Sequence, residues 1–154
     1  MLLAGALLSA PSVSASGDTI DTTDTTAAQR QKFVLLQNNP ALAGGPIAAT
    51  GPIHARGTDV VIDDFRDRFK FPDGNVVIKH RPTRGASSES YDPVTCLFTF
   101  TERGTWRTIR GTRAYADVQG HGRYRVFGQG FGCDENQPPK VFILRIVARG
   151  PLSY

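Results

Sequence analysis

The stretch from Thr95 to Gly132 constrains the fold more than any other part of the chain. Aromatic and β-branched residues recur in it at every second position, between short runs of Gly, Thr, Asp and Arg. Side chains of a β-strand alternate between two faces, so this period predicts consecutive antiparallel strands joined by turns. The 154 residues include 16 glycines and 9 phenylalanines but one methionine. This composition favours an all-β protein with one folded domain.

Further strands are predicted on both sides of this stretch. Residues 65–80 are predicted to form a hairpin, because a Pro-Asp-Gly turn at 72–74 fixes φ with proline and supplies a positive φ with glycine. Residues 141–148 are almost continuously apolar, which predicts a last strand buried on both faces or nearly so. About seven or eight strands with hairpin connections and no crossover helix indicate an antiparallel barrel or a sandwich.

The N-terminal segment has the composition of an export signal. Residues 1–15 are apolar, uncharged and end in small residues, which predicts a secretory signal peptide whose usual positively charged start is missing. The apolar run is too short to cross a bilayer, so no membrane span is predicted. Residues 16–50 are predicted to be a flexible leader and an irregular segment, in which 27–36 fits a short helix or a first strand. The folded domain is then 51–154, outside the cell.

The reactive side chains are few. Cys96 and Cys133 are predicted to form a disulfide, because paired cysteines in an exported protein are usually oxidised; two isolated thiols are the alternative. The histidines, His54, His80 and His121, are far apart and match no metal-binding motif, so no metal site is predicted. The chain also lacks the glycine-rich motifs that bind phosphates, and no cofactor is predicted.

Two runs in the second half of the chain form a strand–turn–strand pattern. They read FTFTE at 98–102 followed by GTW at 104–106, and GTRAYADVQGHGRY at 111–124. The pattern resembles the allene oxide cyclase and dirigent-like barrel superfamily, although Arg113 and Asp117 stand where that family usually has glycine.

The resemblance spans roughly residues 57–150 and implies an eight-stranded, antiparallel up-and-down barrel with an apolar lumen open at one end. It further implies binding of hydrophobic or phenolic small molecules without a cofactor, and often a homo-oligomer. Some relatives cyclise a bound intermediate by holding one reactive conformer. No catalytic residue of the family aligns with a single position here.

Polar side chains on otherwise apolar faces are the candidate catalytic groups. They are His80, Glu102 and Arg145, and a buried charge at any of them would need a partner or a ligand. Structural ion pairs, or strand ends that reach solvent, are the alternative. The candidate ligand-binding residues are aromatic, and plain core packing is the alternative for them. They are Phe98, Phe100, Trp106, Tyr115 and Tyr124.

The net charge of +4 allows an acidic partner, such as nucleic acid, an anionic polymer or an anionic surface. A solvated basic face is the favoured interpretation, because the arginines are spread among the strands and not gathered in a tail. No nucleic-acid motif is present, so nucleic acid is not expected as a partner.

Three functions follow as hypotheses. The first is a secreted barrel that binds an apolar or aromatic small molecule in its lumen. The second is a cofactor-free cyclase or isomerase, which acid–base groups converging on a cavity would favour. The third is an extracellular structural or interaction protein, which a lumen filled by its own side chains would favour.

Overall fold

The computed structural model describes residues 28–39, 44–134, 137 and 139–154, which form a closed antiparallel barrel of eight strands. Each strand pairs with the next along the chain, and the last pairs with the first, so no sheet edge is left open. The all-β, up-and-down, eight-stranded barrel predicted from the sequence is confirmed. The strands are β1 (Gln29–Gln37), β2 (Gly44–Thr50), β3 (Ala55–Asp63), β4 (Arg66–Phe71), β5 (Gly74–Asp92), β6 (Leu97–Gly111), β7 (Gln119–Phe131) and β8 (Val141–Ser153).

The barrel begins earlier in the chain than predicted. Residues 28–50, assigned from the sequence to a leader and an irregular segment, contain β1 and β2. Phe33 on β1 and Ile47 on β2 are buried in the core. The small and glycine-rich residues of β2 hide its alternation, which explains why the sequence indicated only a loop or an irregular edge strand there. The predicted signal peptide lies outside the described residues.

The predicted hairpin at residues 65–80 is present. Strands β4 and β5 pair from Arg66–Lys79 to Phe71–Gly74, and Gly74 has the positive φ, 155°, expected of its turn. The prediction that the last strand is buried on both faces is wrong. Val141 and Ile143 point outward from β8 and are 59% and 54% exposed. Alternation was masked there because the outer face of the barrel is itself apolar around them, including Phe127 on β7 and Leu36 on β1.

One half of the barrel interior is filled by side chains. The ring of Phe33 lies 5.1 Å from that of Phe69 and 5.6 Å from that of Trp106. A 3-10 helix at Arg113–Tyr115 closes this end, and the ring of Tyr115 packs 6.1 Å from that of Phe71. Such aromatic contacts add to the stabilisation from apolar burial. We call this half the closed end.

The disulfide predicted between Cys96 and Cys133 is present. Cys96 lies in the turn between β5 and β6, and Cys133 follows β7, so the bond ties three strands together at the end opposite the closed end. Asp92 organises the same turn, because its carboxylate accepts a hydrogen bond of 2.8 Å from the hydroxyl of Thr95. No helix within the described part of the chain is long and apolar enough to cross a membrane.

Candidate functional site

The other half of the barrel interior is open. It contains a cavity of about 230 Å³, which we call the lumen cavity. Most of its wall is apolar, because the residues that alternate inward from the strands are aliphatic or aromatic. Those that form this wall include Leu35, Phe69, Ile78, Trp106, Val126 and Ile146.

Five neighbouring strands each place at least one polar side chain in this apolar wall, and five of these residues are considered together. They are Asp59 on β3, Asp67 on β4, His80 on β5, Glu102 on β6 and Tyr124 on β7. We call these five residues the polar belt. The belt arises because an inward position of each strand falls at a similar depth in the barrel. Apolar walls around ionisable groups are typical of sites in which proton affinity is shifted for function.

The first contact of the belt joins β4 to β5. Nε2 of His80 lies 3.2 Å from Oδ2 of Asp67. The hydrogen bond to Asp67 raises the pKa of His80 above its ordinary value of 6.5, and the negative charges of Asp67, Glu102 and Asp59 act in the same direction. Burial opposes the shift but does not outweigh it. The raised pKa favours the charged, proton-donating form of His80, and the hydrogen bond to Asp67 orients the imidazole ring.

The second contact joins β6 to β7. The hydroxyl of Tyr124 donates a hydrogen bond of 2.7 Å to Oε1 of Glu102. Burial, followed by this hydrogen bond, raises the pKa of Tyr124, so the phenol stays protonated. The ring of Tyr124 meets that of His80 edge-on, with 5.8 Å between the ring centroids. The two contacts therefore form one continuous group of side chains.

Gly104 explains how the ring of Tyr124 reaches its position. Gly104 and Tyr124 face each other directly across β6 and β7. A Cβ atom at residue 104 would lie 2.5 Å from Cε1 and Cζ of Tyr124, which is closer than atoms can approach. The missing side chain lets the ring lie flat on the strand and direct its hydroxyl to Glu102.

Asp59 is the most perturbed member of the belt. Asp59 is 5% exposed, and its Oδ1 atom makes no hydrogen bond with any residue that the structure describes. Burial and then the charge of Asp67 raise the pKa of Asp59 to about 7, while His80 and the backbone N–H of Val60 act to lower it. This carboxyl group can therefore both give and accept a proton near neutral pH.

Four of the residues predicted from the sequence line the lumen cavity. They are His80, Glu102, Trp106 and Tyr124. The first two were candidate catalytic groups, and the other two were candidate ligand-binding aromatics. The remaining predicted residues lie elsewhere.

Arg145 is exposed on the outer face of β8, opposite Phe127, so its predicted place on a buried face is corrected. It shares this outer face with Val141 and Ile143, which are themselves exposed. Tyr115 belongs to the closed end and lies outside the cavity wall. Phe100 packs against the core without lining the cavity. Phe98 is half-buried opposite Gly130 on β7 and also lies outside the cavity wall.

Sequence reasoning missed Asp59 and Asp67. A signal existed for Asp67, which shares the aromatic face of β4 with Phe69 and Phe71. No such signal existed for Asp59. Its outward neighbours Val60 and Ile62 are apolar, so the pattern of β3 places the wrong face toward the core.

The site is thus a belt of acidic and hydrogen-bonding groups at the base of a half-open apolar lumen. Within the described ranges, no three His, Cys, Asp or Glu side chains are arranged to hold a metal ion. No family model, curated protein or solved structure matches the chain. The class that fold and site define is an eight-stranded antiparallel barrel with an open lumen, and the likeness to allene oxide cyclases and dirigent-like proteins stays a prediction.

Proposed function

We propose that the barrel binds an apolar or aromatic small molecule in its lumen cavity and transfers a proton on it, as a cofactor-free isomerase or cyclase. One observation carries this proposal: Asp59 is a buried carboxyl group in the cavity wall, with one oxygen unpartnered among the described residues and a pKa of about 7. A general acid or base works best when its pKa lies near the working pH.

The shape and lining of the lumen cavity support the choice of ligand. Its volume of about 230 Å³ suits a small molecule of one or two rings. Ligand pockets typically hold roughly 300–1,000 Å³, so this cavity is smaller than that range and fits only a small ligand. Trp106 and Tyr124 contribute aromatic groups to the cavity wall, and Leu35 and Ile146 contribute aliphatic groups.

Proton transfer can use two members of the belt in complementary roles. The carboxylate of Asp59 removes a proton from one atom of the ligand, and the imidazolium of His80 gives a proton to another. The ligand leaves with the same composition, and solvent at the open end returns His80 and Asp59 to their starting states. The pair of Tyr124 and Glu102 fixes the wall beside them. Because the cavity is mostly apolar, the charges that develop are poorly screened by water, and these groups act on them strongly.

The open cavity and the polar belt together favour one of the three functions predicted from the sequence over the other two. Aromatic side chains plug the closed end, but the other half remains open, which disfavours a purely structural barrel. An open cavity with only apolar walls would favour simple binding. The convergence of Asp59, Asp67 and His80 favours an enzyme over a binder.

Two further expectations belong to the proposal. The disulfide supports export to an oxidising compartment, in agreement with the apolar N-terminus of the sequence. The exposed apolar side chains on the outer face of β7 and β8 are the surface on which the expected homo-oligomer would form. They include Phe127, Phe131, Val141 and Ile143.

The proposal is tested with 5-nitrobenzisoxazole, an aromatic model substrate. A base removes the proton on its carbon, the ring N–O bond breaks, and a coloured phenolate forms. We expect the protein to accelerate this reaction with a pH profile whose midpoint is near 7, the pKa of Asp59. In Asp59→Asn the midpoint near 7 should disappear and the rate at pH 8 should fall by about a hundredfold.

The control is Asp117→Asn, which removes an exposed carboxylate outside the lumen cavity and should leave the profile unchanged. Equal rates in the wild type and Asp59→Asn would show that Asp59 is not a base acting on a lumen ligand. A rate in the wild type no higher than that of free acetate at the same concentration would show that apolar molecules do not reach the belt.

A further inference from the structure

A groove crosses the outer wall of the barrel over β5, β6 and β7. It has a volume of about 250 Å³ and is lined by basic side chains of all three strands. Trp106, whose ring packs inside the barrel, and Gly122 form part of its floor. The residues with outward side chains along it are Lys79, Arg81, Thr105, Arg107 and His121.

The strand registers arrange these side chains in two rows that run across the strands. In the first row, Lys79 faces Arg107, and Arg107 faces His121. In the second row, each residue directly faces the next across neighbouring strands from β5 to β1. That row consists of Arg81, Thr105, Arg123, Arg149 and Lys32. The groove therefore lies between two lines of positive charge.

The barrel gains no internal stability from this arrangement. Like charges directly opposite each other on antiparallel strands are destabilising. Lys79 faces Arg107 in the first row, and Arg149 lies between Arg123 and Lys32 in the second. Neither row contains an acidic residue, and none of these cations forms an ion pair with a residue in the described ranges. An external anion is the remaining source of compensation.

We propose that this groove binds a linear acidic polysaccharide. The second row crosses five strands, which at a spacing of about 4.8 Å is roughly 19 Å from the first strand to the last. A chain carrying repeated carboxylate or sulfate groups can meet a cation at four of the five strands, and the hydroxyl of Thr105 on β6 can donate a hydrogen bond to it. The guanidinium groups of Arg81, Arg107, Arg123 and Arg149 pair with such planar or tetrahedral anions through two parallel hydrogen bonds.

The absence of exposed rings favours a polysaccharide over nucleic acid. Single-stranded nucleic acids are bound through aromatic side chains on which their bases stack. Neither row presents an aromatic side chain to the solvent in the part of the chain that the structure describes, apart from the imidazole of His121. The exposed rings Phe127 and Phe131 lie further along β7, beyond the second row.

The test measures binding of a fluorescein-labelled heparin dodecasaccharide by fluorescence polarisation at about 0.15 M ionic strength. The groove variant is Arg107→Gln with Arg123→Gln, one change in each row. The control is Arg56→Gln with Lys70→Gln, which removes the same charge from the outer faces of β3 and β4. Thermal midpoints are measured in parallel, and the groove variant should be no less stable, since it loses a repulsion.

We expect saturable binding that the groove variant weakens by about tenfold or more and the control by no more than about twofold. A single-stranded DNA 12-mer should bind more weakly than the dodecasaccharide, and neutral dextran should not compete. Equal losses in the two variants would show attraction by net charge alone. Tighter binding of the DNA than of the dodecasaccharide would assign the groove to nucleic acid. The absence of saturable binding of the dodecasaccharide would contradict the proposal.

Discussion

Nε2 of His80 lies 3.2 Å from Oδ2 of Asp67 inside a barrel whose outer wall carries a basic groove over β5, β6 and β7. The acidic residues of the polar belt face the lumen, whereas the basic residues that line the groove on β5, β6 and β7 face the solvent. Alternation along each strand produces this separation, because Asp67 and Arg66, or His80 and Arg81, are neighbours in sequence.

Asp67→Asn should lower the pKa of His80. The hydrogen bond to Asp67 is the largest cause of the raised pKa, and its removal also deletes a nearby negative charge. NMR titration of the imidazole resonances measures this change directly. Asp117→Asn is the control and should leave the pKa of His80 unchanged. An unchanged pKa in Asp67→Asn would mean that the two groups do not interact in solution.

The stability of the protein should fall as the pH rises through the range set by Asp59. Its pKa is about 7 in the folded protein and 3.8 ordinarily, so the folded state binds more protons between these values. The penalty for the charged form is absent below about pH 4 and complete above about pH 7, where it amounts to about 4 kcal/mol. His80 adds to the slope, since its stabilisation is complete below 6.5 and is lost as the pH rises through its raised pKa.

Asp59→Asn isolates this contribution. The amide carries no charge at any pH, so the variant should gain about 2–4 kcal/mol relative to the wild type between pH 4 and pH 8. Urea unfolding at the two pH values measures the difference, and any packing cost of the amide cancels in it. A gain of the same size at both pH values would mean that Asp59 is ionised normally in the folded state.

Gly104→Ala should destabilise the barrel by about 1–3 kcal/mol. The new Cβ would meet the backbone oxygen of Arg81 and the ring of Tyr124, which would have to leave its hydrogen bond with Glu102. Gly128→Ala on β7 is the control. It should cost less stability, because the atoms nearest to its new Cβ are side-chain carbons at 3.2 and 3.4 Å. Chemical denaturation of both variants tests this, and equal losses would mean that Tyr124 does not lie against Gly104.

Replacing both Cys96 and Cys133 with serine should reduce the free energy of unfolding by about 4 kcal/mol. The bond closes a separation of 37 residues, and the chain-entropy model gives a stabilisation of this size for such a loop. Thermal unfolding of the double variant, beside the wild type with and without reductant, measures the loss. A double variant as stable as the oxidised wild type would contradict the prediction.

Arg145→Ala should change stability by no more than about 0.5 kcal/mol. Its side chain is exposed, and none of the described residues forms an ion pair with it. The sequence alone favours a larger loss, because Arg145 interrupts an apolar strand and a buried arginine would need a partner. A loss of stability of more than about 1 kcal/mol, measured from the denaturant midpoint, would show that Arg145 is buried in the interior.

The sequence was most informative where one face of a strand meets the core and the other meets water. Alternation predicted antiparallel strands in the region of β6 and β7, although β6 continues through Arg103 and Gly104, where the sequence suggested a turn. The Pro-Asp-Gly turn predicted the hairpin of β4 and β5. It was least informative where that contrast is lost. The small residues of β2 conceal a strand, and the apolar outer face of β8 conceals which side is buried.

The candidate site was half predictable for the same reason. His80 and Glu102 are polar residues on visibly apolar faces, so their inward direction could be inferred. Asp59 is followed by Val60 and Ile62 on the opposite face, whose apolar character suggests that this face is the buried one, and only barrel closure places Asp59 inside. The meeting of five strands at one depth depends on register, which a single sequence does not specify.

Native mass spectrometry of the protein purified from its own producing culture tests the central claim most directly. The wild type should carry an apolar small molecule that is released on denaturation. Val126→Trp, which fills the lumen cavity from β7, should be bare, whereas Phe127→Trp on the outer face should keep the ligand. A bare wild type, or a ligand retained equally in Val126→Trp, would contradict binding in the lumen.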